Sequence, residues 1–149
     1  LANSHVIPAL IRKMHEARLA GAASATVWGS GKPRREFLYS EDMADACVIL
    51  MNLPDHAFQS LLAADRAEGA PPVVNIGVGN DLAIAELARL VAEVAGFQGE
   101  LVFDTSKPDG TPRKLLDARR INQLGWHPRT SLREGIRLSY QDFMTAALR

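Results

Sequence analysis

A single cysteine, Cys47, in a chain of 149 residues rules out an intrachain disulfide framework and a cysteine-built metal cluster, a usage that suits a reducing cytoplasm. Cys47 lies inside the apolar run ADACVILM and is expected to be a buried, inert thiol. Long apolar runs are missing as well. None approaches the roughly 20 residues of a membrane span, and the N-terminus shows no charged segment followed by an apolar one in the manner of a signal peptide, so the chain reads as soluble, unexported and cytoplasmic. Neither sign of charge is in excess, since 17 basic residues meet 17 acidic ones. No global field recruits nucleic acid or an anionic membrane, and any bound anion must be met by a local cluster. The signatures GxSxG, HExxH and the P-loop do not occur.

What is present, 47% hydrophobic and 23% charged side chains, has the size and balance of one globular domain. Helix and strand signals alternate. SHVIPALIRKMHEARLA sets Val6, Ile7, Leu10, Ile11 and Met14 on one helical face, with Ser4 as candidate N-cap, Pro8 in the first turn and Gly21 beyond the end. ATVW and REFLY read as extended runs separated by the turn GSGKP. Ser40, followed by Glu41 and Asp42, is expected to cap a helix running to Pro54. A polar, Ala-rich connection ends in GAPP, VVNIG reads as a buried strand, and LAIAELARLVAEVAG as an amphipathic helix stopped by Gly96. ELVFD is a further strand and KPDGTPRK a loop. Asp117 is placed to cap a short helix ending at Gly125, and Ser131 with Glu134 forms a capping-box pattern before the final helix. The pattern is α/β with about four short strands and about five helices, a thin sheet for this length.

Two clusters carry chemistry. Trp28 stands within seven residues of the pair Arg34, Arg35, and an aromatic surface beside fixed guanidinium groups suits a flat base and a diphosphate. Read singly, Trp28 is equally an ordinary core aromatic and the arginines a solvated turn. Lys107, Asp109, Arg113 and Lys114 form a second polar cluster in a loop, where lysines meet phosphate and an acidic acceptor meets hydroxyls or a base edge, or where all four simply face water. His5 can transfer a proton near neutral pH, although a histidine in a first helical turn is commonly a surface group. NIGVGND carries Gly77 and Gly79 but Leu82 at the third glycine position of GxGxxG, and reads as a structural turn from strand to helix.

Taken together and in order, NSHVIPALIRKMHEA, VWGSGKPRREFLYSEDMADA, NIGVG and VFDTSKPDGTPRKLLDARRINQLGW resemble the carboxy-terminal half of the GDP-L-fucose synthases. These are NADPH-dependent epimerase-reductases of the extended short-chain dehydrogenase/reductase superfamily. The resemblance covers nearly all of the chain except the connection around Asp55 to Pro71. It implies the carboxy-terminal, substrate-binding portion of a Rossmann-type parent fold across residues 1–149, with the amino-terminal NADP-binding domain absent. His5 would match the active-site histidine near the nicotinamide, both a cofactor contact and the general acid of epimerisation. Lys13, Trp28, Arg35, Asp109 and Lys114 would match GDP-sugar contacts, with Lys13 standing where related enzymes often carry Arg. The implied partners are a GDP-sugar substrate and a second copy in a homodimer, with no nucleic acid, membrane or metal. The family's catalytic Tyr-x-x-x-Lys is missing, since Tyr39 and Tyr140 are followed four positions on by Met43 and Met144. The chain by itself is thus expected to be an inactive fragment. Another nucleotide-sugar epimerase or dehydratase, or a binding or assembly module without chemistry, are the readings left beside it.

Overall fold

The apolar stripe of the first segment folds as helix α1 (Val6–Leu19), burying Leu10, Ile11, Met14 and His15. His5 takes the N-cap position, with its carbonyl accepting the Ala9 amide at 3.1 Å. The candidate cap Ser4 lies outside the residues that the computed structural model describes, 5–67 and 73–146. Next come the strands β1 (Ser24–Trp28) and β2 (Arg34–Arg35), and GSGKP turns the chain between them. Helices α2 (Ser40–Met51) and α3 (Asp55–Ala67) follow, then β3 (Leu82–Ala83), α4 (Ile84–Ala95), β4 (Glu100–Asp104), β5 (Arg113–Lys114), α5 (Arg119–Gln123) and α6 (Leu132–Ala146).

Two compact units form where length alone suggested one domain: Leu1–Arg35 with Asp81–Lys114 and Ser131–Arg149, and Glu36–Asn80 with Leu115–Thr130. In the first, β1 and β4 pair in parallel from Ser24↔Glu100 to Trp28↔Asp104. Helix α1 packs on β1 and α4, and α4 on α6. Helix α4 contributes Leu87, Ala88, Val91, Ala92 and Ala95 to the core and ends at Gly96, whose φ of 73° makes the expected left-handed stop. Full burial of a side chain such as Leu87 contributes about 1.5–3 kcal/mol. A second small sheet has the order β3-β2-β5, with β2 parallel to β5 and antiparallel to β3.

The second unit gathers around Ala46, Ala118, Ile121 and Trp126, with Leu38, Ile49, Leu50, Val74 and Ile76 packed against them. The Trp126 indole N–H donates to Asp45 at 3.2 Å, and the buried Asp42 carboxylate accepts from the Thr130 amide and hydroxyl. Asp42, with Glu41 in the acidic first turn of α2 as expected, is thus also held by the 126–130 segment. Ser40 is the first helical residue and not the cap, a position taken by Tyr39.

Further expectations change for identifiable reasons. Cys47 is exposed, not buried, because α2 turns only part of its apolar circumference inward. Met43, Val48 and Met51 are exposed with it, at 46%, 56% and 84%. Most of the segment expected as a polar connection is α3, since alanine has the highest helix propensity and the Pro54 carbonyl accepts the Ala57 and Phe58 amides. The GAPP stretch that ends it lies outside the described residues. VVNIG forms no ladder among the described residues. Val74 and Ile76 face the Trp126 core while Val73 is exposed, an alternation proper to a strand whose edge lacks a neighbour. Of REFLY only Arg35 pairs, in a strand that begins one residue earlier at Arg34, while Leu82–Ala83 and Arg113–Lys114, expected as helix and loop, supply its two neighbours. At α6 the Ser131 hydroxyl accepts the Glu134 amide, but the Glu134 carboxylate turns to Arg137 at 2.6 Å, so the capping box is half formed.

Candidate functional site

Parallel pairing in the first unit sets two connections side by side. Residues 29–33 leave β1 for β2, and residues 105–112 leave β4 for β5, with β1 registered on β4 and β2 on β5. Trp28, last in β1, is 58% exposed and not a core aromatic. The Lys13 ammonium of α1 lies 4.8 Å from its ring centroid and that of Lys107 5.8 Å. Such contacts contribute about 0.5–1 kcal/mol at exposed sites. Lys13 is aimed there by donating to the Thr26 carbonyl at 3.0 Å. Asp104 stands close to both lysines. Its carboxyl is held below the usual range first by the Ser106 hydroxyl and amide and further by Lys107 and Lys13.

The strand register decides the rest. Arg34 lies opposite Arg113, and Arg35 opposite Lys114, so two like-charged pairs face each other across a parallel ladder, an arrangement that repels. On one face Asp81 resolves it. Its carboxylate, 4% exposed, accepts from Arg34 Nε at 2.7 Å and also from Arg113 Nε. Those two guanidinium groups, Arg113 before Arg34, hold its carboxyl below the ordinary carboxylate range. On the other face no carboxylate among the described residues forms an ion pair with Arg35 or Lys114. Arg35 Nη1 donates to the Arg34 carbonyl, at 2.8 Å.

A depressed carboxyl contributes stability that is complete above its unfolded value, about 3.9 for Asp, and is lost as pH falls through the folded value. Asp81 and Asp109 are both depressed in this unit. We expect the melting temperature, followed by circular dichroism, to hold steady from about pH 7 to 5 and to fall below about pH 4. Asp81→Asn should lower it at neutral pH and shrink its acid dependence; an unchanged acid limb would remove Asp81 from this account.

Of the residues singled out from the sequence, five form the candidate wall through separate contacts: Lys13 against the Trp28 ring, Arg35 opposite Lys114, and Asp109 on Ser30, two residues after Trp28. Asp109 binds Ser30 through both carboxylate oxygens. A Cβ on neighbouring Gly110 would lie 3.7 Å from Arg35 Nη2. His5 stands apart at the exposed start of α1, roughly 12 Å from Lys13 along the helix axis. The sequence marks Lys107 only as one of the phosphate-meeting lysines of its loop and does not mark Ser30 or Asp81 as site residues. Only Ser30, in GSGKP, had a turn signal to mark it.

A nicotinamide dinucleotide needs a cradle of free backbone amides, and NIGVGND does not supply one. The Gly79 amide donates to Glu36 Oε1 at 2.6 Å, and a Cβ on Gly77 would come within 2.7 Å of the same carboxylate. Glu36 also accepts the Leu116 amide at 3.0 Å. Gly77 therefore makes room for, and the Gly79 amide binds, a glutamate that stitches the second unit, in keeping with a structural turn. Among the described residues, no helix is long and apolar enough to cross a membrane.

The chain is 50% identical over 139 residues to probable GDP-L-fucose synthase 1 of Oryza sativa subsp. japonica, covering 93% of this chain and 38% of that protein. It is 48% identical over 145 residues to the GDP-L-fucose synthase of Escherichia coli (strain K12), covering 95% and 43%. A solved GDP-mannoheptose C4 reductase from Campylobacter jejuni with NADP bound superposes with a TM-score of 0.75 at 36% identity, over 95% of this chain and 45% of that one. The chain spans about two fifths of the length of these curated relatives. With residues 1–77 matching its profile, the chain belongs to the NAD dependent epimerase/dehydratase family.

Proposed function

We propose that this chain is the GDP-sugar-binding portion of a GDP-L-fucose synthase. The observation that carries the reading is the pair Arg35 and Lys114, held opposite each other without a carboxylate partner among the described residues, together with the exposed ring of Trp28 at the end of the strand that leads into β2. A register that forces two cations together is relieved by an anion supplied from outside, and a diphosphate spans such a pair. Trp28 lines the nucleotide site, Lys13 and Lys107 add ammonium groups around it, and Asp109 completes the wall. Relatives named as GDP-L-fucose synthases support GDP as the nucleotide.

The reaction is the epimerisation of GDP-4-keto-6-deoxy-D-mannose at the two carbons flanking its keto group, followed by reduction to GDP-L-fucose. The carbonyl acidifies those C–H bonds, so inversion needs a proton donor and acceptor, and His5 is this chain's candidate donor. NADPH supplies the hydride. Its binding belongs mainly to an amino-terminal Rossmann portion in the part of the relatives that this chain does not span, with His5 reaching the nicotinamide. The exposed stripe of Met43, Cys47, Val48 and Met51 on α2, with the unladdered VVNIG segment of the same unit, is the surface on which that portion packs. The complete protein is a cytoplasmic, metal-free homodimer without nucleic-acid or membrane partners.

NADPH oxidation with the keto-sugar nucleotide tests the reading. The purified chain is expected to give no turnover, and addition of the amino-terminal half of a relative to restore it. Robust turnover by the 149-residue chain alone would overturn the division of labour. Competition by guanosine, uridine and thymidine diphosphates separates this activity from that of other nucleotide-sugar epimerases, since only the first should compete well.

A further inference from the structure

Asp109 sits where the two parallel connections meet. Its Oδ1 accepts the Ser30 amide at 2.6 Å and its Oδ2 the Ser30 hydroxyl at 2.7 Å. The contact is so close that a Cβ on Gly29 would lie 2.5 Å from Oδ1. Gly29, at φ 84°, is in any case in the left-handed region that glycine adopts without strain. The Ser30 hydroxyl oxygen in turn accepts the Lys32 amide at 3.2 Å. Just before this junction, on β1, stands Trp28. Just after Asp109 comes Gly110, against the Arg35 guanidinium. Elsewhere the two connections are tied by the Gly29 amide on the Asp104 carbonyl and the Arg34 amide on the Pro112 carbonyl, at their two ends. Between those ends, among the described residues, the carboxylate of Asp109 ties them through Ser30.

We propose that Asp109 is a positioning residue: it clasps the 105–112 connection to Ser30 and so fixes the Trp28 end of β1 relative to the Arg35–Lys114 cation pair, as a nucleoside diphosphate held by both requires. The inference rests on the reading of this wall as a GDP site, and it gives Asp109 a role through Ser30 where a direct contact with ligand hydroxyls or a base edge was the expectation. A clasp and a direct contact differ in what asparagine can replace. In an Asp109→Asn variant the side-chain carbonyl still accepts the Ser30 amide, and the side-chain NH₂ donates to the Ser30 hydroxyl oxygen. That side chain cannot replace a carboxylate that accepts hydrogen bonds from a ligand at both oxygens.

The experiment titrates GDP calorimetrically into the chain and its Asp109→Ala, Asp109→Asn, Ser30→Ala and Ser30→Ala/Asp109→Ala variants. Exchange of the Ser30 amide is followed by NMR without ligand, and folding is checked by circular dichroism. We expect Asp109→Ala to weaken GDP binding roughly tenfold, the scale of one lost charge-assisted hydrogen bond, and to unprotect the Ser30 amide. Asp109→Asn should stay within about threefold of the parent with that amide protected, and the double variant should be no weaker than Asp109→Ala, since both members act as one unit. Equal losses in Asp109→Asn and Asp109→Ala with the Ser30 amide still protected in Asp109→Asn would overturn the clasp in favour of direct contact. Parent-like GDP affinity in a folded Asp109→Ala variant whose Ser30 amide exchanges freely would overturn it as well. A folded parent chain that protects the Ser30 amide but takes up no GDP overturns the GDP reading first and this inference with it.

Discussion

In the complete protein, His5→Asn should slow solvent deuterium incorporation at the carbons beside the keto group by about 10²–10⁴-fold, the usual contribution of a general acid-base group. GDP affinity is expected to change little, because the wall formed by Lys13, Trp28, Arg35, Asp109 and Lys114 lies elsewhere along α1 and at the strand ends. His5 meets α1 through its backbone, as an N-cap without a side-chain capping bond, and its carbonyl accepts the Ala9 amide whatever the side chain. Asparagine is itself a favoured N-cap residue. Deuterium exchange has to be measured apart from NADPH oxidation, since the hydride step follows epimerisation and can mask it. Exchange at the parent rate would reduce His5 to a contact with the cofactor or an anchor for the helix start.

The second large effect is at Arg35. Arg35→Ala should weaken GDP binding by about 1.5–3 kcal/mol, the scale of a hydrogen bond to a charged group. Lys114→Ala should weaken it in the same direction by less, because an ammonium offers a point charge where a guanidinium offers a fork. Trp28→Ala should also weaken it, through lost contact with the base. The stability of the ligand-free chain supplies the control. Removing either cation relieves a like-charge pair that the β2–β5 register imposes, so the melting temperature should hold or rise slightly. A fall in both affinity and melting temperature would mark Arg35 as a structural residue. Unchanged affinity in folded Arg35→Ala and Trp28→Ala variants would return them to an ordinary turn and a surface aromatic.

How far the sequence carries this protein can be judged from particular residues. Periodicity predicts α1 and α4 with their buried faces, Gly96 predicts the stop of α4, and ATVW and ELVFD predict the strands that pair. Each depends on local preferences written into neighbouring residues. The family is legible in the order of the motifs, and the profile match over residues 1–77 and the relatives agree with it. Cys47 departs from expectation because apolar composition does not say which side of a helix is turned inward. VVNIG departs from it because a strand is defined by a neighbour's edge, and no residue can announce that from its own identity.

Fold class, most of the helices and the candidate residues of the wall are legible along the chain, because side-chain chemistry and spacing are local properties. Only the tertiary structure decided that Arg34 and Arg113 share Asp81 while Arg35 and Lys114 share no carboxylate among the described residues, and that Asp109 answers to Ser30. Those pairings join residues between 32 and 79 positions apart. They follow from the parallel register of two short ladders, which is fixed by how whole elements pack and not by the residues that meet there.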